Sequence, residues 1–376
     1  MTTAAARPSR APRLGAKVLT RMRRALVSTF ALICLALPAA AQEPPAEATT
    51  ARRVAFDTVS GWQDSFAEDA DWPTQFIVDA FVGAELAPGW QVSVRPVVWR
   101  LRGEWEVILD QASLRYETRR GANWRFEAGK FPMPTGLGLL ENRANTNPGI
   151  LWWHRPYYTP SPSLGSDMPR VSLISTLYPW GAQASVSGDR WDMRVAAVDR
   201  PAVEFWRATS GLSRRVNVIA GGGVTPRQGM RVGLAGARGR YAEAAGARPA
   251  LDYTTVNVET DIAFGYTRLS GEWVRSRFES PGGTRVSEGW TAQAQHTLTP
   301  RVFVHSRASS VRAPRAASAF ATLVDLQRFR SIDSTVGYLI TPEFTLRAAH
   351  TALRGFGRTV TDHQVGLSVI WSRRWW

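Results

Sequence analysis

Charged side chains of opposite sign recur two residues apart along this chain. Arg115 with Glu117, Arg125 with Glu127 and Asp192 with Arg194 are such pairs, and Glu259 stands two residues before Asp261. On a strand, residues i and i+2 share a face about 6.6 Å apart. These groups are therefore either fixed charges on a wetted wall or ion pairs that hold that wall together. The same parity adds Arg95, Arg268, Arg307 and Arg347 to the bases, and Glu272 and Asp333 to the acids. Seven guanidinium groups then face seven carboxylates. A wall of both signs suits a transverse-field pore for hydrophilic solutes, the alternative being a mostly plugged barrel knitted by structural ion pairs.

Catalytic arrangements fare worse, and no enzyme activity is expected. A serine nucleophile needs a histidine within reach, and the available pairs are His305 with Ser306 and His154 with Ser161. Adjacent strand residues face opposite ways, so His305 and Ser306 cannot meet directly. His296 and His350 fall on the opposite, apolar parity and read as rim residues. Glu259 and Asp261 have arginines on their own face, which makes them ion-pair components before they are an acid–base pair. Gly221-Gly222-Gly223-Val224-Thr225-Pro226 has the composition of a phosphate-cradling loop, but no helix pattern or Lys-Ser/Thr pair follows, and it reads as a turn.

What must position such a wall is a set of alternating strands. Trp290, Ala292, Ala294 and Leu298 oppose Thr291, Gln293, Gln295 and Thr297, and Val365, Leu367, Val369 and Trp371 oppose Gln364, Gly366, Ser368 and Ser372. The sequence predicts strands at 54–62, 75–86, 90–101, 106–118, 123–132, 179–187, 190–199, 214–223, 230–238, 252–262, 267–278, 288–298, 301–311, 328–340, 343–353 and 361–372. A soluble sandwich also alternates. The connections separate the two cases. Every second one is short and turn-like, from Ala87-Pro88-Gly89 to Thr341-Pro342, while the others are mostly long: 63–74, 133–178, 200–213, 239–251, 279–287 and 312–327. Short turns on one rim and long loops on the other are the mark of a bacterial outer-membrane barrel.

The expected fold is therefore all-β, a transmembrane antiparallel β-barrel of about 16 strands, within roughly 14 to 18, occupying 54–376. About ten residues per strand, tilted near 45°, rise on the order of 23 Å, close to an apolar band of about 25 Å. Closure also leaves no unpaired edge in lipid. Tryptophans near strand ends (90, 105, 124, 180, 191, 273, 290, 371, 375 and 376) suit interfacial girdles.

Ahead of the barrel, Arg21, Arg23 and Arg24 precede an apolar run, Ala25 to Leu37, that ends at Pro38 and Ala39-Ala40-Ala41. Residues 1–41 read as a cleaved export signal, with Met22 an alternative start, and 42–53 as a periplasmic segment. The run is too short to cross a hydrocarbon core of about 30 Å. The only cysteine, Cys34, lies inside it, so the mature chain has no disulfide and no cysteine metal site. Ile33 precedes Cys34 where a lipoprotein signal needs a small residue. The chain carries +15, and loss of residues 1–41 removes seven bases and no acid, leaving +8. Lys130 is then the only lysine, a usage that fits either bidentate anion contacts or a coding bias toward arginine. Basic charge alone also suits nucleic acid, but there are no Lys/Arg blocks and the export signal leads away from the cytoplasm, so no nucleic-acid partner is expected.

The longest connection, 133–178, combines Glu141, Arg143, Arg155, Asp167 and Arg170 with several aromatic residues and prolines, and Lys130 stands just before it. Proline lowers the entropy cost of ordering so long a loop. It is either folded into the lumen as a constriction or external and mobile.

Three stretches resemble the bacterial porins, and especially the phosphate-selective porin O and P group. Ala128-Gly129-Lys130-Phe131-Pro132-Met133-Pro134-Thr135-Gly136-Leu137 resembles that group's strand-end motif, Gly271-Glu272-Trp273 its Gly-Glu-aromatic strand, and Thr299-Pro300-Arg301 its recurrent turn. The last strand, ending Val369-Ile370-Trp371-Ser372-Arg373-Arg374-Trp375-Trp376, is similar to the aromatic-ended assembly signal of outer-membrane barrels, with Trp375 as its aromatic. The resemblance implies a Gram-negative outer-membrane location, contact with outer-membrane lipids and the barrel-assembly machinery, a homotrimer, and passive diffusion of small hydrophilic solutes without a cofactor. The excess of Arg143, Arg155, Arg170 and Lys130 over Glu141 and Asp167 in and before the 133–178 connection predicts a mild anion preference. Phosphate selectivity is not implied, because that group's lumenal lysines are missing. A structural or adhesive barrel without an open pore is the alternative function.

Overall fold

A computed structural model describes residues 54–65, 75–101, 104–136, 143–149, 170–171, 173, 178–203, 205–206, 215–244, 250–279, 283–312, 328–354 and 361–375. In chain order the strands are β1 (Val54–Ser65), β2 (Gln75–Ala87), β3 (Trp90–Leu101), β4 (Glu104–Arg120), β5 (Ala122–Lys130), β6 (Arg170–Val171), β7 (Trp180–Ser187), β8 (Trp191–Val198), β9 (Phe205–Trp206), β10 (Asn217–Arg227), β11 (Met230–Ala242), β12 (Leu251–Phe264), β13 (Thr267–Phe278), β14 (Arg285–Thr299), β15 (Val302–Arg312), β16 (Arg328–Thr341), β17 (Phe344–Arg354) and β18 (Asp362–Arg374).

Sixteen of these strands close into one antiparallel barrel, each paired with its neighbours in sequence and β1 paired with β18. All sixteen predicted spans fall on barrel strands. Two short strands were not foreseen: β6 and β9 sit in the connections before β7 and before β10 and pair with each other, Arg170 opposite Trp206. The N-terminal 53 residues lie outside the described residues, and with them the expected signal and periplasmic segment.

The turns at one rim are tight. Pro88-Gly89, Gly121, Gln228-Gly229 and Gly265-Tyr266 close hairpins with glycines at positive φ, 80° at Gly89 and Gly229. A side chain at Gly89 or Gly229 would also run into the carbonyl oxygen of Glu117 or Ala263, so only glycine fits.

Burial is inverted relative to a soluble protein. Outward rows expose Trp90, Trp124, Trp180, Met193, Leu234, Trp290 and Val336, among others, while Arg95, Glu127, Glu259, Arg307, Asp333 and Arg347 are buried inside. Alternation with period two puts apolar side chains on the surface that lipid would cover and polar ones on the inner wall.

Candidate pore lining

Pro96 sets the geometry of the first cluster. It has no N–H to give the β3–β4 ladder, and the register slips there, with Arg95 opposite Gln111 but Pro96 opposite Leu109. The extra residue, Asp110, brings a carboxylate to 3.9 Å from Arg95. Arg95 also grips Asp79 on β2 through Nε at 3.0 Å and Nη2 at 2.7 Å, and donates to the hydroxyl of Tyr178. Both side chains of the Arg95–Asp79 pair are almost fully removed from solvent, at 6% and 1% exposure.

A loop segment enters the barrel beside this cluster. Residues 143–149 begin with a turn, the amides of Thr146 and Asn147 donating to the carbonyl of Arg143. Arg143 itself donates to Asp79 and to Asp57 on β1. Ala144 packs among inward-facing Val59, Ile77, Val97 and Ile370, and the Asn145 amide donates to Ser372 Oγ at 3.1 Å. From β17, Arg347 Nη1 donates to the carbonyls of Ala144, Asn147 and Gly149. Five strands of the wall, β1, β2, β3, β17 and β18, thus hold one short piece of the 133–178 connection.

Further round the wall the ions form a ladder. Arg125 donates to Glu117 at 2.7 Å, Arg115 lies 3.7 Å from Glu117 and 3.9 Å from Glu127, and Ser113 and Gln183 donate to Glu127 at 2.6 and 2.8 Å. Arg231 on β11 bridges Asp192 on β8, at 3.0 Å, to Glu259 on β12, which Arg194 also approaches to 3.6 Å. Arg268 takes Asp261 at 2.9 Å, Asn257 donates to Glu272, and Arg307 donates to Asp333 at 3.2 Å.

The bridge by Arg231 depends on missing side chains. A Cβ on Gly223 would lie 2.7 Å from Arg231 Nη2, and one on Gly233 would lie 2.7 Å from Glu259 Oε1. The Arg231–Glu259 pair has room over β10 and β11 because those positions are bare. This corrects the turn expected at Gly221–Gly223: these residues are mid-strand in β10, and the turn falls at Gln228-Gly229.

The lumen is not polar throughout, which corrects a second expectation. Toward the long-loop end, inward-facing Ile219, Tyr241, Tyr253, Val274, Phe278 and Val311 are buried against Phe131, Met133, Leu173, Ala202 and Val203 from the connections. Tyr253 accepts a hydrogen bond from the Ala202 amide at 2.7 Å. Apolar side chains from β10, β11, β12, β13 and β15 meet at this level, and connecting segments are anchored on them.

The predicted residues divide accordingly. Arg95, Arg115, Arg125, Arg194, Arg268, Arg307 and Arg347 are inward and buried or half-buried, as are Glu117, Glu127, Asp192, Glu259, Asp261, Glu272 and Asp333. Lys130 is in register with Ala112 and with Trp180, whose indole is exposed outside, and its ammonium donates to the carbonyl of Leu109. Arg170 is placed through the β6–β9 ladder, and Glu141, Arg155 and Asp167 lie outside the described residues. Sequence reasoning missed Asp57, Asp79, Asp110 and Arg231. Asp79 and Arg231 stand in rows otherwise filled by Ile77 or by Gly233, Ala235 and Ala237, which disguised the inner face, and Asp110 is inward only through the bulge. His305 is buried inside while Ser306 is exposed outside. His350 is exposed on the outer face, stacked on His363 with ring centroids 5.3 Å apart.

No protein-family model matches the sequence, and no curated protein sequence matches it. The fold does match solved barrels. The anion-selective porin from Comamonas acidovorans superposes with a TM-score of 0.54 at 10% identity, over 86% of this chain and 98% of that one. The outer-membrane channel DcaP of Acinetobacter baumannii gives 0.56 at 10% identity, over 86% and 97%. The trimer form of OmpT, an outer membrane protein of Vibrio cholerae, gives 0.54 at 9% identity, over 86% and 100%. The chain shares the architecture of outer-membrane porin barrels.

Proposed function

We propose that this chain is a porin-like pore of the Gram-negative outer membrane, passing small hydrophilic solutes passively and without a cofactor. The observation that carries the reading is the inner wall, where arginines and carboxylates alternate from β2 round to β16 while a segment of the 133–178 connection is held against β1, β2, β17 and β18. Opposed charges across a narrowed, wet passage favour polar solutes over apolar ones. The similarity to an anion-selective porin and to an outer-membrane channel supports the same reading. A mild anion preference is assigned to Arg347, whose described contacts are carbonyls rather than carboxylates, together with Arg155 and Arg170. Kinship with the phosphate-selective group rests on the three sequence motifs alone, and trimer formation on the likeness to a trimeric barrel.

Purified protein in a planar bilayer tests the proposal: stepwise single-channel currents support it, and a silent membrane that demonstrably contains folded protein overturns it. The second reading, a structural or adhesive barrel without an open pore, is favoured by the apolar packing of Leu173, Ala202 and Val203 against the β10–β15 wall.

A further inference from the structure

The outer face of the barrel carries its own charge pattern, which the pore does not use. Among the described strand residues, Arg238, Arg275, Arg277, Arg312, Arg330 and Arg354 are all exposed, and all stand at the long-loop ends of β11, β13, β15, β16 and β17. Each is on the outward parity, because Ala237, Val274, Phe278, Val311, Ser331 and Thr351 beside them are buried inside.

Register gathers them into three adjoining rows. Arg330 is directly opposite Arg354, in the row that also holds the exposed pair Trp273 and Trp290. One step toward the loops, Arg275, Glu288 and Arg312 lie side by side. One step further, Arg238 and Arg277 flank Thr254. Rows are about 7 Å apart along a strand and strands about 4.8 Å apart across it, so the six groups spread over about 14 Å along the strands and about 29 Å across them, with Arg330 and Arg354 the one directly adjacent pair. Among the described residues only Arg312 has a carboxylate in reach, Glu288 at 3.9 Å.

Two like charges directly opposite on one face are destabilising unless something screens them. At the height where an aromatic girdle gives way to headgroups, that screen is an anion supplied from the membrane side. Guanidinium forks match phosphate oxygens through paired donors. We propose that this outward arginine field binds the phosphate groups of anionic lipid in the outer leaflet, with Arg330 and Arg354 sharing one phosphate. The proposal rests on the outer-membrane reading but not on an open pore.

The test uses full-length protein in phosphatidylcholine nanodiscs containing bis-phosphorylated lipid A, with dephosphorylated lipid A and inorganic phosphate at a concentration matching the lipid phosphate as separate arms. Lipid retained after detergent extraction is counted by native mass spectrometry. Native protein should retain the phosphorylated lipid, and the double variant Arg330→Gln with Arg354→Gln should retain it about tenfold less or weaker still, two charge-assisted contacts being lost. Single-channel conductance in phosphatidylcholine should be unchanged by the substitutions, because both residues lie outside the lumen. Equal retention by native and variant protein, equal retention of the dephosphorylated lipid, or displacement by inorganic phosphate at comparable concentration each overturns the proposal. Loss of conductance in native protein overturns the pore reading and leaves the lipid result standing.

Discussion

Arg347 and Asn147 stand 200 residues apart in the chain, and the guanidinium of the first donates to the main-chain oxygen of the second. Through the same nitrogen Arg347 also holds Ala144 and Gly149, so one wall residue on β17 pins three backbone carbonyls of the inward segment. Replacing Arg347 with methionine keeps the side chain's bulk against Phe303 and removes the donors. Single-channel recordings of Arg347→Met should show added sub-levels or flicker as residues 143–149 detach intermittently. Traces indistinguishable from native would mean that the segment is held by Arg143 and Asn145 alone.

Asp79 serves two arginines at once, Arg95 and Arg143. Asp79→Asn leaves both less compensated in a place from which water is excluded, a change worth about 3–5 kcal/mol when a buried pair loses one member. The folded, fast-migrating gel band should convert to the unfolded one at a clearly lower temperature. Combining it with Arg95→Met should restore part of the loss, since the stranded charge is then removed as well.

The bare positions under Arg231 can be filled one at a time. Gly233→Val places carbon where Glu259 and Arg231 now lie, and overpacking of this kind costs about 1–3 kcal/mol. Gly236→Ala is the internal control, since the nearest atom to its new Cβ is 3.6 Å away. A gel-shift temperature lowered by the first and unmoved by the second supports the bridge; equal effects would point to general strain in β11.

Selectivity should respond at Arg143. This guanidinium offsets Asp57, whose carboxylate is part-exposed, while Asp79 on its other side is buried, so Arg143→Gln should move reversal potentials under a potassium chloride gradient toward cations. The shift should shrink as salt rises, because mobile ions screen fixed charge over about 10 Å at 0.1 M and less above that. No change at any salt concentration would place the ion filter elsewhere on the wall.

Export should remove residues 1–41, cutting between Ala41 and Gln42 where two small side chains flank the site. Intact mass of protein taken from outer membranes reads this directly. A mature form that still contains Cys34 would refute both the route and the cysteine argument.

The strand plan was legible because alternation survives in most rows and because tight glycine turns recur at the short-turn rim. What stayed hidden has local causes. Parity counting assumes an unbroken ladder, and Pro96 breaks it, so Asp110 changes face without any sign in the residues around it. Small residues carry no hydropathy contrast, so the row of Gly233, Ala235 and Ala237 gave no hint that Arg231 points inward. Apolar residues inside a barrel defeat the simple rule outright: Tyr253, Phe278 and Val311 face inward beside Arg307 because loop residues cover them, a relationship between segments that no single stretch of sequence contains.

The seam between the first and last strands adds a constraint of timing. Asp57 meets Arg374, the Trp375 amide reaches the carbonyl of Phe56, and its indole reaches Thr58. The edge opened by β1 therefore waits until β18 arrives. A chain interrupted in the connection before β18 is an open sheet with two unsatisfied edges, not a slightly smaller barrel. Closure is thereby checked by the fold itself: without β18 neither β1 nor β17 has a partner on its outer side.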